Sequence, residues 1–266
     1  MALSALLALF ALFALSTFAA SPAAQTRWEV VRRYPAAEAR QAVAVDGTHF
    51  YAITNRAFGK YEKATGHKVA EWKDVEGGPF IHLNSGVVID GRLYCAHSNY
   101  PGVPMVSSIE VWETATLRHV QTIPVGTGRG SATWIDRHDN AWWVMYAHYP
   151  APNGEPGKGP EYSVLVRYDT EWRETGSWAF PKSVVARWDG MSSSGGVWSG
   201  STLITAGHHA PELHILQLPT AGATLVLEAI VPVECEGQGI ALDPSDPARF
   251  WSIQRRTAEV LVSAMR

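Results

Sequence analysis

The sequence has few cysteines, no excess of positive charge and none of the common catalytic motifs. Among its 266 residues only Cys95 and Cys235 are cysteines, too few for a fold that depends on a disulfide framework. The formal net charge is −3, which excludes the basic surface that nucleic acid or an anionic membrane would require. The chain contains no G-x-S-x-G, H-E-x-x-H, phosphate loop or C-x-x-C. Any function must therefore come from side chains that are distant in the sequence.

A long apolar run occurs only at the N-terminus. Residues 1–20, MALSALLALFALFALSTFAA, predict a secretory signal peptide cleaved after Ala19, and hence export to the periplasm or the medium. The run contains no Lys or Arg near its start, so an uncleaved membrane anchor is the alternative. No later run reaches the roughly 18 apolar residues that a membrane span needs, so no further membrane contact is expected.

The remaining chain, residues 27–266, predicts a single all-β domain built from a repeat of about 45 residues. Each repeat contains four short alternating strands, and the Asp-Gly turns at Asp46 and Asp90 mark equivalent positions in the first two. Four strands per repeat and five repeats predict a five-bladed β-propeller. The fifth repeat has three strands, so we expect the N-terminal strand Trp28–Tyr34 to complete it. The in-register repeats disfavour the competing β-sandwich.

Pseudo-symmetry in a propeller brings equivalent positions together at one mouth of the central channel. The inner strands begin with a polar residue followed by a small one, which allows the backbones to approach the axis; these polar residues are Gln41, Ser85, Ser131, Ser194 and Gln238. The second strands end on Thr54, His97, His148, His208 and Gln254. The adjoining loops add His82, Asn84, Asn99, Tyr100, Arg129, Tyr149, Trp188, His209, Glu236 and Arg255 to the same mouth.

The same arrangement bears on the two cysteines. Cys95 belongs to blade two and Cys235 immediately precedes blade five, and these blades are not neighbours in a ring of five. A disulfide requires Cα atoms within about 7 Å of each other. We therefore expect two unpaired thiols.

Two short segments resemble the SMP-30/gluconolactonase family of metal-binding propellers. CEGQGIALDPSD is similar to that family's E-G-P-x-W-D strand, whose Glu binds a divalent metal, and LNSGVVIDG is loosely similar to its S-N-G segments, whose Asn is a ligand. The resemblance implies one divalent metal, Ca or Zn, held by Glu236 and Asn84. The family has six blades, and its motif has Pro where this chain has Gln238. The whole mature chain also resembles secreted bacterial propellers labelled cycloisomerase-like.

These observations lead to an enzymatic hypothesis, metal-assisted lactone hydrolysis or cycloisomerisation of a small molecule without an organic cofactor. The metal would polarise a carbonyl group, a histidine (His148 or His208) would transfer a proton, and an arginine (Arg129 or Arg255) would bind a carboxylate or an oxyanion. The expected ligand contacts are His97, Asn99, Tyr149, Gln238 and Ser194.

A non-catalytic module that binds a glycan or a protein partner is the alternative. In that case Tyr100, Tyr149 and Trp188 would present flat aromatic faces to a sugar. Equivalent pockets around the mouth would favour this binding module, whereas one Glu236 and histidines in only three blades favour the enzyme.

Overall fold

The structure, a computed structural model, describes residues 28–265. The predicted signal peptide, residues 1–20, lies outside the described residues. Within them, none of the helices has the length and apolar character to cross a membrane. The first strand is β1 (Trp28–Pro35), and the strands that follow it form four complete blades before the chain returns to pair with it.

Each of the first four blades is a four-stranded antiparallel sheet whose strands follow one another from the channel outward. Blade one contains β2 (Ala42–Val45), β3 (His49–Thr54), β4 (Ala57–Glu62) and β5 (Lys68–Lys73). Blade two contains β6 (His82–Ile89), β7 (Arg92–Ser98), β8 (Val106–Glu113) and β9 (His119–Thr127). Blade three contains β10 (Ser131–His138), β11 (Ala141–Ala147), β12 (Val164–Tyr168) and β13 (Glu174–Ala179). Blade four contains β14 (Gly195–Ser199), β15 (Thr202–Ala206), β16 (Glu212–Gln217) and β17 (Val226–Pro232).

Blade five joins the two ends of the described chain. From the channel outward it contains β18 (Ala241–Asp243), β19 (Asp246–Gln254), β20 (Glu259–Met265) and then β1. The outermost pair is antiparallel, with Trp28 opposite Met265 and Pro35 opposite Glu259. The inner strands of consecutive blades contact one another, and β18 contacts β2, so the ring is closed. The predicted five-bladed propeller, completed by the N-terminal strand, is confirmed.

Short helical segments occur between blades three and four and in one loop. Helix α1 (Lys182–Val185) is followed by a 3-10 turn at Ala186–Trp188, and a second 3-10 turn lies at Pro160–Tyr162. The latter belongs to the long Pro- and Gly-rich connection between β11 and β12, at the mouth where the second strands end.

Acidic residues at the ends of the inner strands organise the opposite mouth. Asp46 accepts the backbone N–H groups of Thr48 and His49, each at 2.7 Å, which fixes the turn into β3. In blade three, Asp136 accepts the backbone N–H of Trp198 at 2.7 Å and so links two blades. Burial raises the pKa of Asp136 to about 7. Asp46 and Asp136 therefore stabilise turns and contacts between blades at this mouth.

Small residues allow the inner strands to meet at the axis, as the sequence predicts. The Gly239 backbone N–H donates to the carbonyl of Gln41 at 2.9 Å, which joins blade five to blade one. A Cβ atom on Gly239 would lie 2.3 Å from the Cβ of Ala42, and one on Gly195 would lie 2.3 Å from the carbonyl oxygen of Gln238. No side chain fits at either position without displacing backbone.

Both cysteines are free and buried, as expected from their blades. Cys95 is completely buried within the cluster between blades one and two, and Cys235 lies in the cluster between blades four and five. Burial raises the pKa of both thiols, that of Cys235 to about 11. Protonated thiols in these positions act as small apolar side chains.

Candidate functional site

A cavity of about 390 Å³ lies at the mouth where the inner strands begin; we call it the mouth cavity. All five blades or their connections contribute to its wall. The lining residues are Gln41, Asn55, Ile81, His82, Asn84, Tyr100, Pro101, Tyr149, Met191, Ser194, His208 and Arg255. Its polar groups are amides, hydroxyls, imidazoles and one guanidinium, and the described lining contains no Asp or Glu.

Arg255 is the charged residue of this lining. It follows β19 directly, and its backbone carbonyl is fixed by the guanidinium of Arg40 at 2.8 Å. Within residues 28–265, no carboxylate forms an ion pair with the guanidinium of Arg255, in contrast to Arg56, Arg187 and Arg256, which are paired. An unpaired, half-buried guanidinium surrounded by amides and hydroxyls is well suited to bind an anion.

Two histidines beside Arg255 are neutral at physiological pH. Burial lowers the pKa of His82 to about 4, and the nearby His97 and Arg255 add to the effect. Burial lowers the pKa of His208 to about 3, with further contributions from His209, Arg255 and His82. A neutral imidazole accepts a proton, so the cavity combines a fixed cation with two proton acceptors.

Several of the residues that the repeat alignment predicts for the mouth line this cavity. Asn84, Tyr149, Ser194, His208 and Arg255 all belong to its lining. The side-chain amide of Asn84 donates to the carbonyl of Ala132 at 3.0 Å, which fixes its orientation. Burial raises the pKa of Tyr149 to about 12, so its hydroxyl stays protonated.

Gln238 contacts the backbone of a residue that lines the mouth cavity. Its side-chain amide donates to the backbone carbonyl of His208 at 2.9 Å, and it is nearly completely buried. It therefore positions the strand end that carries His208. Its backbone has a φ of +72°, next to Gly237 at +74°, in the tight turn that leads into β18.

His97 and His148 lie outside the mouth cavity. The Nε2 atom of His97 accepts the backbone N–H of Ile81 at 3.1 Å, and its Nδ1 contacts the hydroxyl of Ser108 at 3.0 Å. His148 is buried beneath the connection between β11 and β12, with its Nδ1 4.0 Å from a carboxylate oxygen of Glu155. The structure thus gives both histidines protein neighbours away from the channel.

Asn99 and Arg129 also have local partners. The side chain of Asn99 donates to the carbonyl of Pro104 at 3.1 Å and accepts the N–H of Val106 at 2.8 Å, which closes the β7–β8 turn. Arg129 forms an ion pair with Glu174, the first residue of the outer strand of blade three. Neither lines the mouth cavity.

The two metal ligands implied by the family resemblance do not come together. Asn84 lines the mouth cavity, whereas Glu236 lines a separate groove and is paired with Arg256. Among residues 28–265, no three His, Cys, Asp or Glu side chains are grouped as metal ligands. A carboxylate already paired with an arginine and an amide that donates to a backbone carbonyl do not fit a divalent metal.

Sequence reasoning gave His82 a place at the mouth but no role. The signal was its position at the start of an inner strand, equivalent to that of other polar residues. Ile81, Pro101 and Met191 carried no signal, because their contribution depends on loop paths. Trp188, expected to be a flat aromatic face, is buried against Phe180, with 5.0 Å between ring centroids.

Comparisons with known proteins support the fold. No family model and no curated protein matches the chain. Among solved structures, glutaminyl cyclase from Myxococcus xanthus superposes with a TM-score of 0.58 at 11% identity, over 91% of this chain and 97% of that chain. The PQQ-bound form of aldose sugar dehydrogenase from Streptomyces coelicolor gives a TM-score of 0.53 at 13% identity, over 92% of this chain and 100% of that chain. At such identities the likeness concerns the fold alone.

Proposed function

We propose that the mouth cavity binds a small organic anion and catalyses metal-free ring opening or closure between a lactone and its hydroxy acid. The observation that carries the proposal is the unpaired guanidinium of Arg255 beside two neutral histidines, in a cavity without described carboxylates. Its volume of about 390 Å³ is near the lower end of the range of ligand pockets. Two proteins of similar fold bear enzyme names, so this architecture is compatible with catalysis.

The chemistry requires only water and residues of this chain. Water adds to the lactone carbonyl carbon while His208 accepts its proton, and Arg255 stabilises the negative charge that develops on oxygen. The ring C–O bond then breaks, and His208 returns the proton to the departing alkoxide. The product is a hydroxy acid; its carboxyl group releases its proton to water and remains beside Arg255 as a carboxylate, and ring closure is the reverse.

The first test is a panel of lactones, γ-butyrolactone, δ-valerolactone and glucono-δ-lactone, assayed with and without EDTA. We expect hydrolysis of at least one lactone, unchanged by the chelator, because no step uses a metal. His208→Gln should lower kcat about 10²–10⁴-fold through loss of the proton acceptor. His67→Gln, at an exposed turn of the opposite mouth, is the matched control and should keep full activity. Activity that EDTA abolishes would contradict the metal-free proposal.

Anion binding should be coupled to proton uptake. A bound carboxylate offsets the positive field of Arg255 and so raises the pKa of His82 and His208 from their values of about 4 and about 3. We expect 4-hydroxybutyrate to bind more tightly at pH 5.5 than at pH 7.5, since a histidine whose pKa rises on binding favours the complex as the pH falls toward that raised pKa. Isothermal titration calorimetry in buffers of different ionisation enthalpy counts the protons.

The control for this coupling is the double variant His82→Gln, His208→Gln, whose affinity should vary little with pH. Protonation of His82 and of His208 changes the stability of the folded protein in the same direction. Their pKa values are depressed in the folded protein, so the free protein loses stability as the pH falls from about 6.5 toward 4, and a bound anion opposes that loss. Binding without any proton uptake would contradict the placement of the anion beside these histidines.

We also propose that the protein is exported. The apolar segment 1–20 and the small residues around Ala19 support this proposal. Mass spectrometry of the protein recovered from periplasm and medium should give a mature chain that begins at Ala20; an intact N-terminus in the cytoplasm would contradict it.

A further inference from the structure

A second and larger cavity continues outward from the mouth cavity between blades four and five; we call it the blade 4–5 groove. Its volume is about 1170 Å³, above the range of about 300–1,000 Å³ that suits a drug-sized ligand. It is lined by Trp28, Glu29, Val30, His208, His209, Pro211, Pro232, Val233, Glu234, Cys235, Glu236, Gln254, Arg255 and Arg256. His208 and Arg255 line both cavities, so a ligand held at Arg255 can extend into the groove.

Three continuous segments provide most of the lining of the groove, residues 28–30, 232–236 and 254–256. The N–H groups of Glu234, Cys235 and Glu236 donate to no described residue. Residues 234–236 therefore provide three consecutive backbone N–H groups that no described residue satisfies.

The groove contains exposed apolar side chains and two carboxylates that are paired with arginines. Pro211 and Pro232 are exposed and provide rigid apolar surface at the blade-four side. The carboxylates of Glu234 and Glu236 pair with Arg33 and Arg256, respectively. The aromatic ring in the lining, that of Trp28, packs against Phe250 and is only 6% exposed, so it does not offer a stacking surface to a sugar.

We infer that the anion site also binds a second kind of ligand, an extended peptide whose C-terminal carboxylate contacts Arg255 while its preceding residues lie in the blade 4–5 groove. Peptide amides match the backbone donors of residues 234–236, and small apolar side chains match Pro211 and Pro232. This inference rests on the anion site of the proposed function and not on the reaction assigned to it.

Three ligands test the inference by calorimetry on the full-length protein: N-acetylalanine, an N-acetylated hexapeptide of Ala, Ser and Val with a free C-terminus, and the same hexapeptide amidated at the C-terminus. We expect the free-acid hexapeptide to bind at least about tenfold more tightly than N-acetylalanine. Amidation should weaken the hexapeptide by a similar factor, since it removes the charge that Arg255 recognises.

Pro211→Trp fills the groove without touching the mouth cavity. It should reduce the affinity for the free-acid hexapeptide to that for N-acetylalanine and leave the latter unchanged. Pro247→Trp, at an exposed proline of the opposite mouth, is the matched control and should change neither affinity. Equal affinities of the wild-type protein for hexapeptide and N-acetylalanine would overturn the peptide inference while the anion site stands. Absence of binding by all three ligands would overturn both.

Discussion

The Arg255→Gln variant should bind 4-hydroxybutyrate about 10–100-fold more weakly than the wild-type protein. The guanidinium has no ion pair within residues 28–265, so its charge is available to the ligand. A hydrogen bond to a charged group contributes roughly 1.5–3 kcal/mol, which corresponds to this loss of affinity. Glutamine keeps an amide donor, on a shorter side chain, but removes the charge. Calorimetric titration at pH 7.5 measures the effect.

Two further variants make this result specific. Arg92→Gln changes the net charge equally but lies at the opposite mouth, where β7 begins, and should bind like the wild-type protein. Arg255→Lys keeps the charge without the planar fork and should recover part of the affinity. The thermal midpoint of Arg255→Gln should stay within about 2 °C of wild type, because a change of 1 kcal/mol corresponds to about 2–4 °C in a protein of this size. Unchanged binding would remove Arg255 from the anion site.

The largest effect on stability is expected from Gly239→Ala at the channel axis. The new methyl group would lie 2.3 Å from the Cβ of Ala42 and 2.8 Å from the hydroxyl of Ser85. These neighbours belong to inner strands, so relief requires the backbones of blades one and five to separate. We expect a loss of about 3 kcal/mol or more in the free energy of unfolding, measured by urea denaturation.

Gly47→Ala is the matched control, since nothing lies within 4 Å of the added methyl group, and its effect should stay within about 0.5 kcal/mol. Combining Gly239→Ala with Ala42→Gly removes one of the two colliding methyl groups. The double variant should therefore regain part of the lost stability, a coupling that distant sites would not show. A Gly239→Ala variant as stable as the wild-type protein would contradict this, since it would mean that the inner strands can separate at little cost in free energy.

The sequence predicted the architecture because each repeat shows its strands and turns in a short stretch of neighbouring residues. The Asp-Gly turns, the short alternating strands and the three-strand fifth repeat each depend on neighbouring residues. Closure by the N-terminal strand followed from counting strands, and β1 does pair with β20. The small residues at the start of the inner strands likewise predicted the close approach seen at Gly239.

The direction of the histidine side chains was not predictable in the same way. In blades two and three the pairing of the first two strands shifts near the mouth, between Leu83 and Gly86 and between Ala132 and Trp134. Blade four has no such shift. A bulge changes the face to which the following side chains point. The extra residues lie in β6 and β10, so they shift the inner strands relative to the strands that lead to His97 and His148, and both histidines lie outside the cavity that His208 lines.

By itself the sequence determined the number of blades and the closure of the ring, and it gave candidate residues for the mouth. Each of these depends on strand pattern and turn chemistry, which are local properties. Only the tertiary structure decided which of those residues share a cavity and that Arg255 has no described carboxylate partner, whereas Glu236 pairs with Arg256. Side-chain pairing depends on strand register and on contacts between blades, which no single repeat encodes.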